Sequence, residues 1–324
     1  MPGEELLGST LGNYRVTACI GSGATGVVYR ATHTESSREV ALKVLHDNLG
    51  SISGLERRFS REARVLAKLS HPNIVEVLDF GVDAGRTFIA MELLEGETLE
   101  EALARGPIDP EVALAYYDPL LAALSEAHEH EVVHRDLKPA NVFLTKAGPN
   151  GDSGVKILDF GLAKMLSIDE LSQEGTLTRK GRIVGTPAYM APEQITGVFI
   201  DVRADVYALG VMLYELLADR RPFLYERRSE LLRAHLLEPV PDVTSMREGL
   251  WVHPALEALL MKALAKDPAV RFPNGRAITK SLSTSSVAMT EGAPPKRGIP
   301  TAALVALAFV LLGAAAGLWA TLMR

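Results

Sequence analysis

The sequence predicts an α+β protein with a β-rich lobe, then an α-rich lobe across a cleft, then one transmembrane helix at the C-terminal end. Three observations lead there. β-branched residues alternate in short runs over the first third of the chain. Apolar residues recur at helical spacing from about Leu99 onward, and the stretch 299–323 contains no charged side chain.

The chain has 324 residues, with 34 Lys and Arg against 40 Asp and Glu, a net charge of −6. No global field draws it to nucleic acid, and none is expected as a partner. The local clusters Arg57-Arg58 and Arg179-Lys180 read as solvated faces. Cys19 is the single cysteine, which excludes an intramolecular disulfide and suits a reducing compartment. It reads most simply as a small buried hydrophobe. The opening "MPGEELLGST" lacks the basic-then-apolar pattern of a signal peptide.

In chain order, "GVVYRATH" and "EVALKVL" alternate with period two, and "TFIAMELL" is a short apolar run; each predicts a strand. Between the last two, "LERRFSREARVLAKL" places Leu55, Phe59, Leu66 and Leu69 on one helical face. Glu62 falls on that same face. A carboxylate on an apolar stripe is costly unless paired, so it calls for a buried cation. After the junction "MELLEGETL" the pattern turns helical, most clearly over 111–130, 202–218 and 254–265. Pro119 inside the first of these should kink it or mark an irregularity. "AGPNGDSG" at 147–154 reads as a flexible insertion.

Four places carry chemistry. "IGSGATGVVY" spaces Gly21, Gly23 and Gly26 as in a phosphate-binding loop. Val27, Val28 and Tyr29 then continue as a strand, so the array is a glycine-rich hairpin rather than the turn into a helix of a dinucleotide fold. Backbone N–H groups of such a hairpin can lie close over phosphates, because no Cβ intrudes. "VALK" sets Lys43 among apolar neighbours, an unexplained charge that Glu62 would satisfy. "VVHRDLKPANVFL" brings Asp136, Lys138 and Asn141 together in a loop between a helix and a short strand. Asp136 can accept or orient a hydroxyl proton, Lys138 can neutralise a transferring phosphoryl group, and Asn141 can offer a carbonyl oxygen to Mg²⁺. "VKILDFGLAK" adds Asp159, a second oxygen ligand for that ion.

With these motifs in this order, the chain resembles a protein kinase over about residues 14–282. "DLKPAN" and "GTPAYMAPEQ" resemble Ser/Thr rather than Tyr kinases, and the whole resembles the bacterial, eukaryotic-like (Hanks-type), membrane-anchored kinases. The resemblance implies a two-lobed protein-kinase fold, with residues 1–13 as an extension, 14–94 as the N-lobe and 95–282 as the C-lobe. It implies ATP and Mg²⁺ as cofactors, with Mn²⁺ as an alternative, and proteins as substrates. Gly21, Ser22, Gly23, Ala24, Thr25 and Gly26 would cover the phosphates. Ile20, Val28, Ala41 and Phe143 would sandwich adenine, Met91 would be the gatekeeper, and the backbone of Glu92 and Leu94 would read the adenine edge. Glu193 should pair with Arg271, and Asp205 should brace the catalytic loop. His134 and Phe160 would join Leu66 and Val77 in an internal column.

Regulation by activation-loop autophosphorylation is expected from Arg135, which in the family often receives such a phosphate. Ser167, Ser172, Thr176 and Thr178 are the hydroxyls in reach, Thr178 preferred and then Thr176. Thr186 reads as bonded within the substrate platform.

The uncharged stretch is long enough to cross a hydrocarbon layer about 30 Å thick at about 1.5 Å per residue. Its large apolar side chains contribute roughly −3 to −6 kcal/mol to insertion. Lys296 and Arg297 precede it and hold the kinase side in the cytoplasm, in a bacterial inner membrane by the resemblance. Gly313 and Gly317 give the helix a small-xxx-small face for homodimerisation. Residues 283–298, rich in Ser, Thr and Pro, read as a juxtamembrane tether. Only Arg324 follows the run, which reads as an anchor without an extracytoplasmic sensor. Against the active kinase stands a membrane-anchored pseudokinase scaffold, which loss of Lys43, Asp136, Asn141 or Asp159 would favour. All four are present. A small-molecule kinase is disfavoured by the peptide platform "GTPAYMAPE".

Overall fold

The computed structural model describes residues 5–23, 26–46, 69–146, 154–160, 186–248 and 250–281. They belong to one compact unit, residues 1–282. Residues 283–324, with the tether and the apolar run, lie outside the described residues, as do Glu62 and Leu66, the insertion at 147–153, and Thr176 and Thr178. Among the described residues no helix is long and apolar enough to cross a membrane.

The N-lobe is a six-stranded antiparallel sheet in the order β1-β2-β3-β4-β6-β5. Its strands are β1 (Thr10–Leu11), β2 (Tyr14–Gly23), β3 (Gly26–His33), β4 (Glu39–Leu45), β5 (Val77–Asp83) and β6 (Arg86–Glu92). Period-two alternation divides it into two faces. On one, Tyr14, Val16, Tyr29, Leu42, Val44, Phe88 and Ala90 form an apolar cluster. On the other, the register sets Val28 opposite Lys43, Lys43 opposite Ile89, Ala41 opposite Met91, and Met91 opposite Val77. That second face roofs the cleft.

Residues 5–13 of the expected extension pack on the N-lobe sheet: β1 pairs with β2, and Leu6 and Leu11 are buried in the apolar cluster. The Gly12 N–H donates to Asp83 Oδ2 at 2.7 Å, at a φ of +55°. A Cβ at Gly12 would meet the Phe88 ring at 2.9 Å, so the strap crosses that ring where only glycine fits. Cys19, expected to be buried, is exposed. It pairs with Tyr29 of β3 just ahead of a register shift between Cys19 and Gly21, beyond the two residues of β2 that β1 covers.

The C-lobe opens with a three-stranded sheet, β7 (Gly96–Thr98), β8 (Val142–Thr145) and β9 (Val155–Ile157). Helices that follow β7 include α1 (Leu99–Ala104), α2 (Pro110–Glu129), α3 (Pro192–Thr196), α4 (Arg203–Ala218), α5 (Arg228–Leu237) and α6 (Pro254–Ala263). Their starts are written in the sequence. Thr98 and Glu101 form a reciprocal capping box on α1. Asp109 caps α2 and His253 caps α6, each ahead of a proline at the first helical position. α2 runs through Pro119 as one element, although that residue has no N–H to give the Ala115 carbonyl. α4 is buried nearly all round, and the Tyr117 hydroxyl of α2 donates to its Leu209 carbonyl at 3.0 Å. A helix that is apolar on every face belongs at the centre of a lobe. From there it positions the site.

Candidate active site

The loop between α2 and β8 is held from below by α4. Asp205, in the first turn of that helix, accepts the backbone N–H of His134 at 2.8 Å and of Arg135 at 2.9 Å. It also bonds His128 Nε2 at 3.0 Å. Burial alone would raise this carboxyl. The His128 bond, the charges of His128 and His134, and the His134 amide outweigh burial and hold it below the ordinary Asp value. A carboxylate that stays ionised at a helix N-terminus is a fixed anchor for the loop.

Above Asp205 the chain turns sharply: Arg135 has a φ of +66°. Beyond that turn stands Asp136, whose Oδ2 accepts from Lys138 Nζ at 3.0 Å. The same ammonium donates to Thr186 Oγ1 at 3.0 Å, so Thr186 meets the catalytic loop rather than bonding only within its own segment. Asn141 closes the loop by donating Nδ2 to the Asp136 carbonyl at 2.8 Å. That commits the amide nitrogen and leaves its carbonyl oxygen to meet a cation.

The roof of the cleft contributes Lys43. Its ammonium lies 2.5 Å from Asp159 Oδ2, across 116 residues of sequence. Lys43 is buried and the Asp159 side chain is about a third exposed. Glu62, the partner expected for Lys43, lies outside the described residues; the described partner is Asp159. Asp159 has a φ of +46°, a left-handed conformation that a non-glycine residue holds only under constraint. The constraint is visible on both sides: Leu158 N–H donates to the main-chain carbonyl of Asn141 at 2.8 Å, and Phe160 packs on His134 with ring centroids 4.8 Å apart.

The apolar part of the cleft is the sheet face already described. Val28, Ala41 and Met91 lie on registered positions of β3, β4 and β6, and Ile20 is 46% exposed beside them. Phe143 rises from β8, opposite Lys156. The Lys156 ammonium donates to Glu92 Oε1 at 2.6 Å, and Glu92 Oε1 also accepts the Glu76 N–H at 2.8 Å. That link between the lobes passed unnoticed in the sequence. Its signal, an isolated Lys between Val155 and Ile157, is as faint as Lys43 would have been without its motif.

Behind the platform, Arg271 forms two bonds with Glu193, at 2.7 and 2.9 Å. Near this pair sits His235 of α5, whose Nδ1 lies 2.9 Å from the Tyr207 hydroxyl. Burial, and then the Lys266 ammonium, push its imidazole down to about 4. Tyr189 of the 3-10 turn Pro187–Tyr189 donates to Glu215 Oε2 at 2.5 Å.

An ammonium on the cleft roof, two oxygen donors at Asn141 and Asp159, and a carboxylate held beside a second ammonium suit transfer of a phosphoryl group to a hydroxyl. The donor set fits a hard divalent cation with phosphate oxygens, and the apolar roof fits a planar base.

Comparison with known proteins agrees. The family profile described as protein kinase domain matches residues 14–282. Serine/threonine-protein kinase pkn3 of Myxococcus xanthus is 40% identical over 282 residues, 86% of this chain and 51% of that protein. PrkC of Bacillus subtilis is 34% identical over 275 residues, 85% of this chain and 40% of that protein. The chain thus spans about half or less of the length of these curated relatives. The crystal structure of the Mycobacterium tuberculosis PknI kinase domain superposes with a TM-score of 0.67 at 32% identity, covering 86% of this chain and 98% of that one.

Proposed function

The chain belongs to the protein kinase family, and from that premise we propose that it is a serine/threonine protein kinase using ATP and Mg²⁺ on the cytoplasmic face of a membrane. The observation that carries the reading is the joint placement of Lys43, Asp136, Lys138, Asn141 and Asp159 around one cleft. Bound as its magnesium complex, ATP would supply the phosphoryl group. Lys43 would hold phosphate oxygens, and Asn141 and Asp159 would hold the ion. Asp136 receives the proton of the Ser or Thr hydroxyl. Lys138, within reach of both Asp136 and Thr186, neutralises charge at the transfer point and ties it to the platform that receives the peptide. Val28, Ala41, Met91 and Phe143 enclose the base, and the backbone of Glu92 and Leu94 reads its edge.

Arg135 would pair with a phosphate carried on Thr178 or Thr176, ordering the segment between Asp159 and Glu193. The apolar run 299–323, with Lys296 and Arg297 before it, would anchor the enzyme, and Gly313 and Gly317 would bring two helices together.

The test is transfer of labelled phosphate from ATP with Mg²⁺ to the chain itself and to a basic protein, comparing the native sequence with Asp136→Asn. Label that disappears in the variant supports the kinase. Tight nucleotide binding with no label on either acceptor would instead support a scaffold.

A further inference from the structure

The left-handed turn at Arg135 raises a question that the anchor at Asp205 answers only in part. A non-glycine residue at a φ of +66° is strained and persists only where its surroundings over-determine it. Its N–H is fixed by Asp205 Oδ1 at 2.9 Å. Its carbonyl needs a donor of its own, because that carbonyl belongs to the peptide plane entering Asp136. The donor is Gln194 of α3, whose Nε2 lies 2.7 Å away.

The other end of the same amide is also committed. Gln194 Oε1 accepts the N–H of Ala191 at 3.0 Å, the residue that enters α3. One side chain therefore joins the end of the peptide platform to the turn that aims Asp136. The N–H of that same peptide plane points to His134 Nδ1 at 3.3 Å. The plane is gripped on its carbonyl edge and met on its amide edge, and Gln194 supplies the shorter bond.

The geometry points to Gln194 as a positioning residue for phosphoryl transfer: it locks the Arg135–Asp136 peptide and couples that lock to the platform receiving the substrate. The inference rests on the kinase reading above, since it gives Asp136 its meaning. A glutamine suits the task because it donates at one end and accepts at the other. Neither Glu nor a hydrophobe of similar size does both. The groups around it are Arg135 and Asp136 of the catalytic loop, Asp205 of α4, and Tyr189 and Thr186 of the platform.

Two substitutions in the full chain separate the bonds. Gln194→Glu keeps the acceptor for Ala191 but sets a carboxylate oxygen against the Arg135 carbonyl. Gln194→Ala removes both. For each we would measure kcat and KM for protein substrate and for ATP, nucleotide Kd, thermal unfolding, and amide hydrogen exchange over residues 133–138. The expected result is a fall in kcat of roughly 10- to 100-fold, the scale of a misplaced reacting group. KM and Kd for nucleotide should hold within about twofold, and amide exchange at 133–138 should quicken.

Gln194→Glu carries a further signature. Its rate relative to the native protein should rise as pH falls, because a protonated carboxyl regains a donor for the carbonyl. Gln194→Ala should show no such recovery. Native kcat in both variants, or unchanged exchange at 133–138, would overturn the inference while leaving the kinase reading intact. Loss of nucleotide binding and folding together with activity would also overturn it, as a merely structural role. If the native chain transfers no phosphate at all, the kinase reading fails and the catalytic role of Gln194 fails with it. Exchange over 133–138 would still report whether the lock exists.

Discussion

Arg271 and Glu193 meet as a buried, two-bonded ion pair, with side chains 0% and 3% exposed, although 78 residues separate them in sequence. The guanidinium also donates to the carbonyls of Ala265, Arg203 and Lys266 and lies over the Tyr207 ring. Removing either partner strands a charge that has no route to water. Arg271→Met or Glu193→Ala should each lower folding stability by about 3–5 kcal/mol, read by urea unfolding. The double replacement should not restore it, because the three carbonyls would remain unpaired.

The pair between Lys43 and Asp159 should behave differently. Asp159 is partly open to solvent, so Lys43→Met leaves a carboxylate that water can reach. Melting temperature should move by only a few degrees, whereas phosphate transfer should fall by at least about 100-fold, as on loss of a preorganised electrostatic group. A collapse of folding as severe as that of Arg271→Met would contradict this account.

Thr186 accepts from the same ammonium as Asp136. Thr186→Val should raise KM for protein substrate and leave nucleotide affinity unchanged, and Thr186→Ser should restore the native value. Steady-state kinetics with each substrate varied in turn decides it.

His235 makes the fold sensitive to acid. Its folded value of about 4 lies below the ordinary 6.5, so the unfolded chain binds the proton more readily between those limits. Stability should therefore fall as pH drops from about 6.5 to about 4. The loss amounts to up to about 3 kcal/mol if this residue acts alone. His235→Gln should flatten that slope in chemical unfolding measured at several pH values. The Lys266 ammonium and the Tyr207 hydroxyl that face it do not titrate in that window.

Much of the site could be read from the sequence because its parts cluster in short motifs. Asp136, Lys138 and Asn141 lie within six residues, and a loop that short brings them together whatever surrounds it. Period-two alternation likewise gave β3 and β4 their bounds in full. What escaped depends on long-range register. That Lys156 finds Glu92 joins residues 64 apart in the chain, and no local pattern encodes it. Gln194 ends the quoted motif GTPAYMAPEQ but drew no role from it, because its two partners are backbone groups, which any sequence offers everywhere. The burial expected of Cys19 rested on its residue type alone, and no local pattern tells that it falls beyond the part of β2 that β1 covers.

The strap of residues 5–13 bears on how this protein can be cut. A fragment begun at residue 14, where the family match starts, would lose Leu6 and Leu11 from the cluster and strip β2 of its neighbour. The bared strand would keep a row of backbone donors and acceptors open to a second molecule, beside a freshly uncovered Phe88. Such a fragment should express as aggregates where one begun at residue 1 stays dispersed. A boundary drawn from likeness to other kinases would here fall inside the protein's own hydrophobic seal.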